Sequence, residues 1–282
     1  MLFRTAVALI LVTGALSSAD AQWLNHPAPG IPRTKDGKPN LSARAPRAAD
    51  GKPDLSGVWT TDATPFEEME RLFPDFAALA VPGDDPRFFP KYFINVFADV
   101  ERKDVPIRPQ ALEILKKRGE NSGREVPTSK CLPAGIPMGD LLPIPRRFMQ
   151  VPGLLAILYE GANPQRLIYL DGRKHPVDPL PAWLGYSIGK WEGDTLVVDT
   201  IGLNDLTWLD AFGHPRTEAM HITERFRRRD FGHIEVQMTF DDSGAYTKPF
   251  SITFTQTLTP DTDVIESVCA ENEKDRAHLA GQ

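Results

Sequence analysis

Short apolar runs alternate with polar residues from residue 153 onward, and turn-forming residues separate the runs. A period of two predicts β-strands, because successive side chains of a strand point to opposite faces of the sheet. The pattern predicts eight strands in four hairpins: 154–160 with 166–171, 184–191 with 195–201, 220–229 with 233–240, and 250–258 with 264–269. Gly57-Val58-Trp59-Thr60 predicts one more strand ahead of them.

Strands that follow one another through mostly short connections favour a mostly β fold, namely an antiparallel up-and-down meander that closes into a barrel. Closure removes exposed sheet edges, and a barrel of about eight strands is just wide enough to hold one small ligand. A two-sheet sandwich is the alternative architecture.

The chain ahead of the repeated hairpins is rich in proline and divides in two. Residues 22–54 contain the unit Asp-Gly-Lys-Pro twice and few large apolar residues, which predicts an extended arm with two turns. The prolines of residues 65–150 forbid long helices and central strands, so this segment predicts an insertion with short helices, such as 66–73 and 109–118. We therefore expect a single β-barrel domain over 55–282 that carries this insertion.

The first residues of the chain indicate its compartment. Residues 1–21 combine a positive residue, an apolar stretch and the small-x-small pattern Ala19-Asp20-Ala21, which is typical of a cleaved signal peptide. The apolar stretch is shorter than the roughly 20 residues of a spanning helix. A periplasmic or secreted chain with Cys131 and Cys269 is expected to join them in a disulfide.

Charge and motifs exclude several functions. The net charge is −6, and the basic run Arg225 to Arg229 stands at a strand end, where a solvated face is the simplest interpretation, so nucleic acid is not an expected partner. No Gly-rich phosphate loop, Gly-x-Ser-x-Gly elbow or haem-binding motif is present in the sequence. A small-molecule ligand or substrate, handled without a cofactor, is the expectation that remains.

The connection 202–219 is the richest in polar residues and is the preferred site. His214 is a candidate general base that Asp205 or Asp210 would orient, although an exposed loop histidine is the commoner structure. His221 begins the next strand. A divalent metal at His214, Glu218 and His221 is the less favoured alternative, because Gly213 and Pro215 argue against the helical geometry that this spacing needs.

Alternate turns of a meander gather at one end, so the loops that begin at 171, 202 and 241 are expected to share one mouth. The expected substrate-binding side chains at that mouth are polar or aromatic, and the same aromatic side chains would otherwise seal the barrel end. They are Trp208, Tyr246, Trp183, His175 and Asn204.

Carboxylates also interrupt the apolar faces of predicted strands. Glu224 lies among Met220, Ile222 and Phe226 in the alternation, so it points inward either as a catalytic acid or base or as half of a structural ion pair. Asp199 and Glu266 have similar flanks, and either of them could face inward or face solvent.

Two stretches resemble known proteins. Leu55-Ser56-Gly57-Val58-Trp59 resembles the Gly-x-Trp opening of lipocalin-like barrels, in which the tryptophan plugs the barrel base. The segment 183–200, WLGYSIGKWEGDTLVVDT, together with segments at 213–215, 223–226 and 245–249, is similar to a family of uncharacterised exported bacterial proteins. This resemblance implies export and a lipocalin-like (calycin-type) barrel, and it assigns no activity.

Two functions of different classes follow. The first is an exported enzyme, a lyase, isomerase or hydrolase, that uses His, Asp and Glu at a barrel mouth on a carbohydrate or aromatic substrate. The second is a periplasmic carrier of a small apolar ligand. The enzyme requires His214, Asp205 and Glu224 to lie close together. The carrier is favoured if they lie far apart or if the interior is wholly apolar.

Overall fold

A computed structural model describes residues 28–74, 89–120, 125–161 and 164–269 of the 282-residue chain. Nine strands form one closed barrel in sequence order, which confirms the predicted barrel in place of a sandwich. The strands are β1 (Gly57–Thr61), β2 (Arg146–Val151), β3 (Leu154–Tyr159), β4 (Gln165–Tyr169), β5 (Tyr186–Glu192), β6 (Thr195–Ile201), β7 (His221–Arg228), β8 (His233–Asp241) and β9 (Phe250–Leu258).

The helices of the described residues all lie between β1 and β2, where the prolines predicted a short-helical insertion. They are α1 (Phe66–Leu72), α2 (Lys91–Ile94), α3 (Pro109–Glu120) and α4 (Met138–Leu141), with 3-10 turns at Arg102–Asp104 and Pro127–Lys130. The helices predicted at 66–73 and 109–118 correspond to α1 and α3. We refer to the described residues between β1 and β2, namely 62–74, 89–120 and 125–145, as the cap.

Two strand predictions need correction. Residues 264–269 form no strand, because β9 already pairs with β8 and β1 and so offers no free edge. The sequence analysis also missed β2, which completes the barrel between β1 and β3. Its inward residues are Arg146 and Phe148, and an inward arginine hides the alternation that marks a strand.

The interior of the barrel is filled by side chains rather than by a ligand-sized space. Large buried residues from every part of the sheet meet there, among them Trp59, Phe148, Phe226 and Phe240. Trp59 is completely buried, donates its indole N–H to the carbonyl of Leu55 at 2.9 Å, and lies under the guanidinium of Arg228. The tryptophan therefore closes one end of the barrel, as the Gly-x-Trp resemblance implied.

One strand pair departs from the antiparallel meander. β4 and β5 are parallel, with Ile168 opposite Ser187. The connection 170–185 must therefore return along the outside of the barrel before β5 begins. It starts where Leu170 donates to the carbonyl of Gly153 and finishes where Ala182 pairs with Leu203 at the other end.

The two barrel ends thus carry different structures. The cap, the connection 202–220 and the connection 242–249 share one end, which we call the cap end. The turns 152–153, 193–194 and 229–232 lie at the opposite end, which we call the arm end. The expectation that the 171, 202 and 241 loops share a mouth is correct for the last two and wrong for Asp171 to Pro176, because β4 and β5 are parallel.

The repeated unit forms the same turn twice along the arm. Gly37 donates to the carbonyl of Thr34 and Gly51 to that of Ala48, both with positive φ, as the two Asp-Gly pairs predicted. The arm packs on the arm end through backbone bonds from Phe231 and Gly232. The predicted signal peptide, residues 1–21, lies outside the described residues.

Cys131 and Cys269 form a disulfide, as the sequence predicted. It links the cap to the segment that follows β9 and spans 138 positions of the chain. Among the residues that the structure describes, no helix is both long enough and apolar enough to cross a membrane.

Candidate functional site

The preferred histidine of the sequence analysis, His214, is buried under the cap. Its Nδ1 lies 2.6 Å from Oδ2 of Asp210, and Phe97 packs edge-on against the imidazole ring at 5.0 Å. Asp210 also accepts backbone N–H groups from Val96, Gly213 and His214. Asp210 therefore orients His214, and the same carboxylate ties the cap to the 202–220 connection.

Other side chains that the sequence placed at the mouth also pack against or bind the 202–220 connection. Asn204 accepts from the buried Arg216, whose guanidinium also reaches the carbonyl of Trp183. Trp208 and Tyr246 are buried, and the hydroxyl of Tyr246 donates to the carbonyl of Pro215 at 2.8 Å. Asp205 and Glu218 are exposed and make no hydrogen bond or ion pair with His214 within the described part of the chain. This cluster is a packed junction rather than an open pocket.

Glu224 points into the barrel, as predicted, and forms an ion pair there. Arg166 of β4 reaches across the interior and binds both carboxylate oxygens of Glu224, one of them at 3.0 Å. Arg166 also donates to Ser187 and Thr200. Burial raises the pKa of Glu224 and the guanidinium opposes that rise. Because both charges are buried and bound to each other, the structural alternative describes Glu224 better than the catalytic one.

A second histidine cluster lies on the outer surface of the barrel, where the returning connection 170–185 crosses β5, β6 and β7. Asp199 of β6 accepts from Nε2 of His175 at 2.9 Å and from Nε2 of His221. Asp199 and His221 are partly exposed, at 37% and 44% of their side-chain surface. One carboxylate thus holds two imidazoles at a surface that solutes can reach. We call Asp199, His175 and His221 the carboxylate-bridged pair.

The topology of the sheet builds this cluster. Asp199 and His221 lie on the outward faces of neighbouring strands, with Asp199 opposite Thr223 in the register. His175 arrives from outside because the parallel β4 and β5 force the chain back across the surface. Gly185, with φ of +62°, permits the entry into β5, since a Cβ there would lie 2.6 Å from the carbonyl oxygen of Ile201.

Asp199 and His221 each stabilise the charged form of the other. The hydrogen bond from His221 lowers the pKa of Asp199, despite partial burial, and His175 adds to the effect. The hydrogen bond to Asp199 raises the pKa of His221, and the charges of Asp199 and Asp241 reinforce it. An ionised carboxylate can only accept, so Nε2 of each imidazole carries its proton and Nδ1 holds the lone pair of the neutral ring.

A groove of about 520 Å³ borders the cluster on the outer face of β5 to β7. Arg173 on its rim stacks 3.7 Å above the ring of Tyr169, binds Asp171, and donates to the hydroxyl of Tyr186 at 3.3 Å. Tyr186 in turn lies edge-on to His175. The groove is lined by Gly172, Arg173, Ile188, Gly189, Lys190, Glu192, Val197, Asp199 and Thr223.

This arrangement is suited to proton transfer. Neutral His221 presents the Nδ1 lone pair as a base, and Asp199 stabilises the imidazolium that forms when the base takes a proton. His175 Nδ1 is buried without a hydrogen-bond partner among the described residues, so His221, which is more exposed, is the ring placed to meet a substrate. Asp199 acts through both rings and is a positioning residue.

Sequence reasoning placed His175 and His221 among the site residues but separated them. It grouped His175 with the barrel mouth and His221 with His214, and it left the direction of Asp199 open. Arg173 and Tyr186 were missed as rim residues. The available signal was the two-sided alternation of 195–201, in which Asp199 is the single charge on a strand that is apolar on both faces.

No group of three or more His, Cys, Asp or Glu side chains within the described ranges is arranged to hold a metal ion. His214, Glu218 and His221, the alternative metal set, have separate surroundings, since Asp210 holds His214 and Asp199 holds His221. Comparisons of the chain with protein-family models, curated proteins and solved structures gave no match. The closed nine-strand barrel is compatible with a lipocalin-like fold.

Proposed function

We propose that this chain is a small-molecule enzyme that transfers a proton with the carboxylate-bridged pair on the outer face of β5 to β7. The observation that carries the proposal is that one carboxylate holds two histidines beside an open groove. A merely structural carboxylate on a strand surface needs one partner and no cavity. The reaction class is that of a lyase, isomerase or hydrolase that needs no cofactor.

Each member of the cluster has a defined role in the proposal. His221 is the catalytic base and then the acid, because its neutral ring accepts a proton and Asp199 stabilises the imidazolium that returns it. Asp199 holds the Nε2 proton and stabilises the charged ring. His175 binds the other carboxylate oxygen of Asp199 and packs against Tyr186, which accepts from Arg173 of the groove.

The groove favours a carbohydrate or aromatic substrate. Arg173 of the groove stacks on Tyr169, whose ring lies 5.3 Å from that of Tyr186, so aromatic rings and hydrogen-bond donors lie next to the groove. The charges around the groove balance, because Lys190 pairs with Glu192 and Arg173 with Asp171. An uncharged substrate therefore suits it better than a strongly charged one.

Export and family membership belong to the same proposal. The disulfide supports an oxidising compartment, periplasmic or extracellular, where such an enzyme would act on small molecules from outside the cell. Membership of the uncharacterised exported family rests on the 183–200 motif, which includes Tyr186 and Asp199 of the proposed site.

Proton transfer is tested most generally by NMR in deuterated water. The purified chain is incubated with a panel of uncharged sugars, glycosides and phenolic esters, and product formation and deuterium incorporation are followed in the ¹H spectrum. We expect at least one compound to react or exchange. A His221→Gln variant should lose roughly 10²-fold or more of that rate.

The matched control is His233→Gln. His233 pairs with Asp230 at 2.7 Å on the surface of the arm end, without a second histidine, so its loss should leave the rate within about twofold of the parent, as expected for a surface change away from the reacting groups. No conversion or exchange across the panel, or equal losses in both variants, would contradict the proposal.

A further inference from the structure

A cavity of about 450 Å³ lies at the cap end, on the outside of the barrel. Its walls are mostly apolar and include Phe93, Met138, Leu142 and Trp208, and the disulfide forms part of its boundary. Its lining shares no residue with the groove at Asp199. The volume lies within the roughly 300 to 1,000 Å³ range of small-molecule pockets.

A much smaller cavity of about 20 Å³ adjoins the first one. Ala134, Leu142, Ile144 and Gly161 line both spaces, which places the smaller one at the inner end of the larger. It has room for about one water-sized group. Arg146 and Tyr159 line it, and both side chains belong to the buried polar interior of the barrel.

Arg146 has an unmet donor at this inner end. The side chain is 1% exposed, and its terminal nitrogens donate to the carbonyls of Gly139 and Leu142 and to the hydroxyl of Thr61. Its Nε is buried and has no acceptor among the described residues. A buried N–H without a partner is unfavourable, so an acceptor oxygen from outside the chain would stabilise this position.

The neighbouring charge decides which kind of oxygen fits. Asp140 lies close enough to Arg146 to oppose the lowering of its pKa by burial. Oδ2 of Asp140 lies 4.0 Å from Arg166 and has no hydrogen-bond partner in the described part of the chain. A second carboxylate would meet the charge of Asp140. An uncharged oxygen, such as that of a phenol, an alcohol or a ketone, avoids this repulsion.

We propose that the cap cavity binds a small apolar molecule that carries one uncharged hydrogen-bonding oxygen. The apolar body lies against Trp208 and Met138, and the oxygen points toward Nε of Arg146, directly or through one water molecule. This second site is independent of the proposed acid–base function, because it shares neither residues nor chemistry with the groove.

Three related probes test the chemistry of the ligand. Binding of 1-naphthol, naphthalene and 1-naphthoate to the whole chain is measured by isothermal titration calorimetry. We expect 1-naphthol to bind roughly threefold to tenfold more tightly than naphthalene, as one added hydrogen bond predicts. Naphthoate should bind more weakly than naphthol. Equal affinities of naphthol and naphthalene, tighter binding of naphthoate, or no binding of 1-naphthol would overturn the proposal.

The place of binding is tested by filling the neck between the two cavities. Ala134→Leu should weaken 1-naphthol at least tenfold, whereas Ala156→Leu, an equal enlargement on the outer face of β3, should leave it unchanged. If Ala134→Leu does not fold, intermolecular NOEs between 1-naphthol and the parent chain locate the bound ligand instead. Contacts to the Trp208 indole support binding in the cavity, and contacts only to Trp191 of β5, which does not line the cavity, would refute it. If the chain forms dimers and 1-naphthol dissociates them, a second copy of the chain occupies the cavity, and the proposal is refuted.

Discussion

At the residue scale, Asp199 is the only described carboxylate that binds two imidazoles. The other paired histidines, His214 and His233, each have a carboxylate that also binds backbone N–H groups, so those pairs fix loops. Asp199 has no such backbone duty in the described structure. Its hydrogen bond with His221 therefore stabilises the charged form of that ring, and this effect depends on pH.

The first prediction concerns this pH dependence. The pKa of His221 is raised in the folded chain, so its contribution to stability is complete below the unfolded value of about 6.5 and is lost as pH rises through the folded value. The pKa of Asp199 is lowered, so its contribution is lost only as pH falls through its folded value, below about 3.9. Urea unfolding of the parent and Asp199→Asn should therefore differ most between about pH 4 and 6.5.

The size of this difference is modest, because both side chains are more than a third exposed and solvent screens them. We expect about 0.5 to 1 kcal/mol. His233→Gln serves as the comparison for a general effect of removing a surface imidazole. A difference that grows as pH rises above 7 would mean that the pair does not have the geometry described.

At this scale the sequence predicted residue types better than partners. Alternation showed that Glu224 points inward, which is correct, because Ile222 and Phe226 flank it. It did not show that Asp199 points outward, since Val197 is buried on the outer face beside it. Outward burial there comes from the connection that crosses the sheet, and no local pattern encodes that crossing.

At the element scale, an ion pair inside the barrel connects several strands. Arg166 of β4 connects to Glu224 of β7 and to hydroxyls of β5 and β6, so one side chain joins its own strand to three others. Tyr159 of β3 and Asp140 of the cap continue this polar group through a hydrogen bond of 2.9 Å. The group fills the part of the interior where an apolar core would otherwise lie.

The second prediction compares the loss of one partner of this ion pair with the replacement of both partners by apolar residues. Glu224→Gln leaves Arg166 with the more distant Asp140, at 4.0 Å, as its counter-charge and should lower the free energy of unfolding by about 3 kcal/mol. The double variant Arg166→Met, Glu224→Leu should recover at least half of that loss, because neither charge is then buried. Chemical denaturation of the three proteins measures both values, and a double variant less stable than Glu224→Gln would refute the interpretation.

Element prediction succeeded where side chains follow their usual preferences. The first three hairpins and the Trp59 strand have mostly apolar inward faces, interrupted by Arg166 and Glu224, and the structure confirms these strands. β2 was missed because it turns Arg146 inward, and 264–269 was assigned wrongly because an apolar pattern cannot reveal that the sheet is already closed. The sequence did not predict the parallel pairing of β4 and β5, because that pairing depends on tertiary packing rather than on a local pattern.

The whole molecule is a barrel with both ends covered. Trp59 and the arm cover one end, and the cap covers the other through Asp210, Tyr246 and Arg216. The two ligand sites that we propose lie outside this covered interior, on the outer wall and in the cap cavity. The disulfide then joins the cap to the chain beyond β9.

The third prediction concerns this covalent link. A bridge across 138 positions restricts the unfolded chain, and the chain-entropy relation gives a contribution of about 4 to 5 kcal/mol. The double variant Cys131→Ser, Cys269→Ser should lose an amount of that order in urea unfolding. Reduction of the parent should produce the same loss, and a change below about 1 kcal/mol in both would show that the link adds little.

The most direct test of the carboxylate-bridged pair is an NMR titration of the imidazole ¹⁵N resonances from pH 4 to 9, in the parent, in Asp199→Asn and in His233→Gln. We predict that His221 of the parent carries its proton on Nε2 when neutral and titrates above about 6.5, the value of an unperturbed histidine. Asp199→Asn should lower that midpoint, and His233→Gln should leave it unchanged. A neutral His221 with its proton on Nδ1, or a midpoint that Asp199→Asn does not move, would contradict the account.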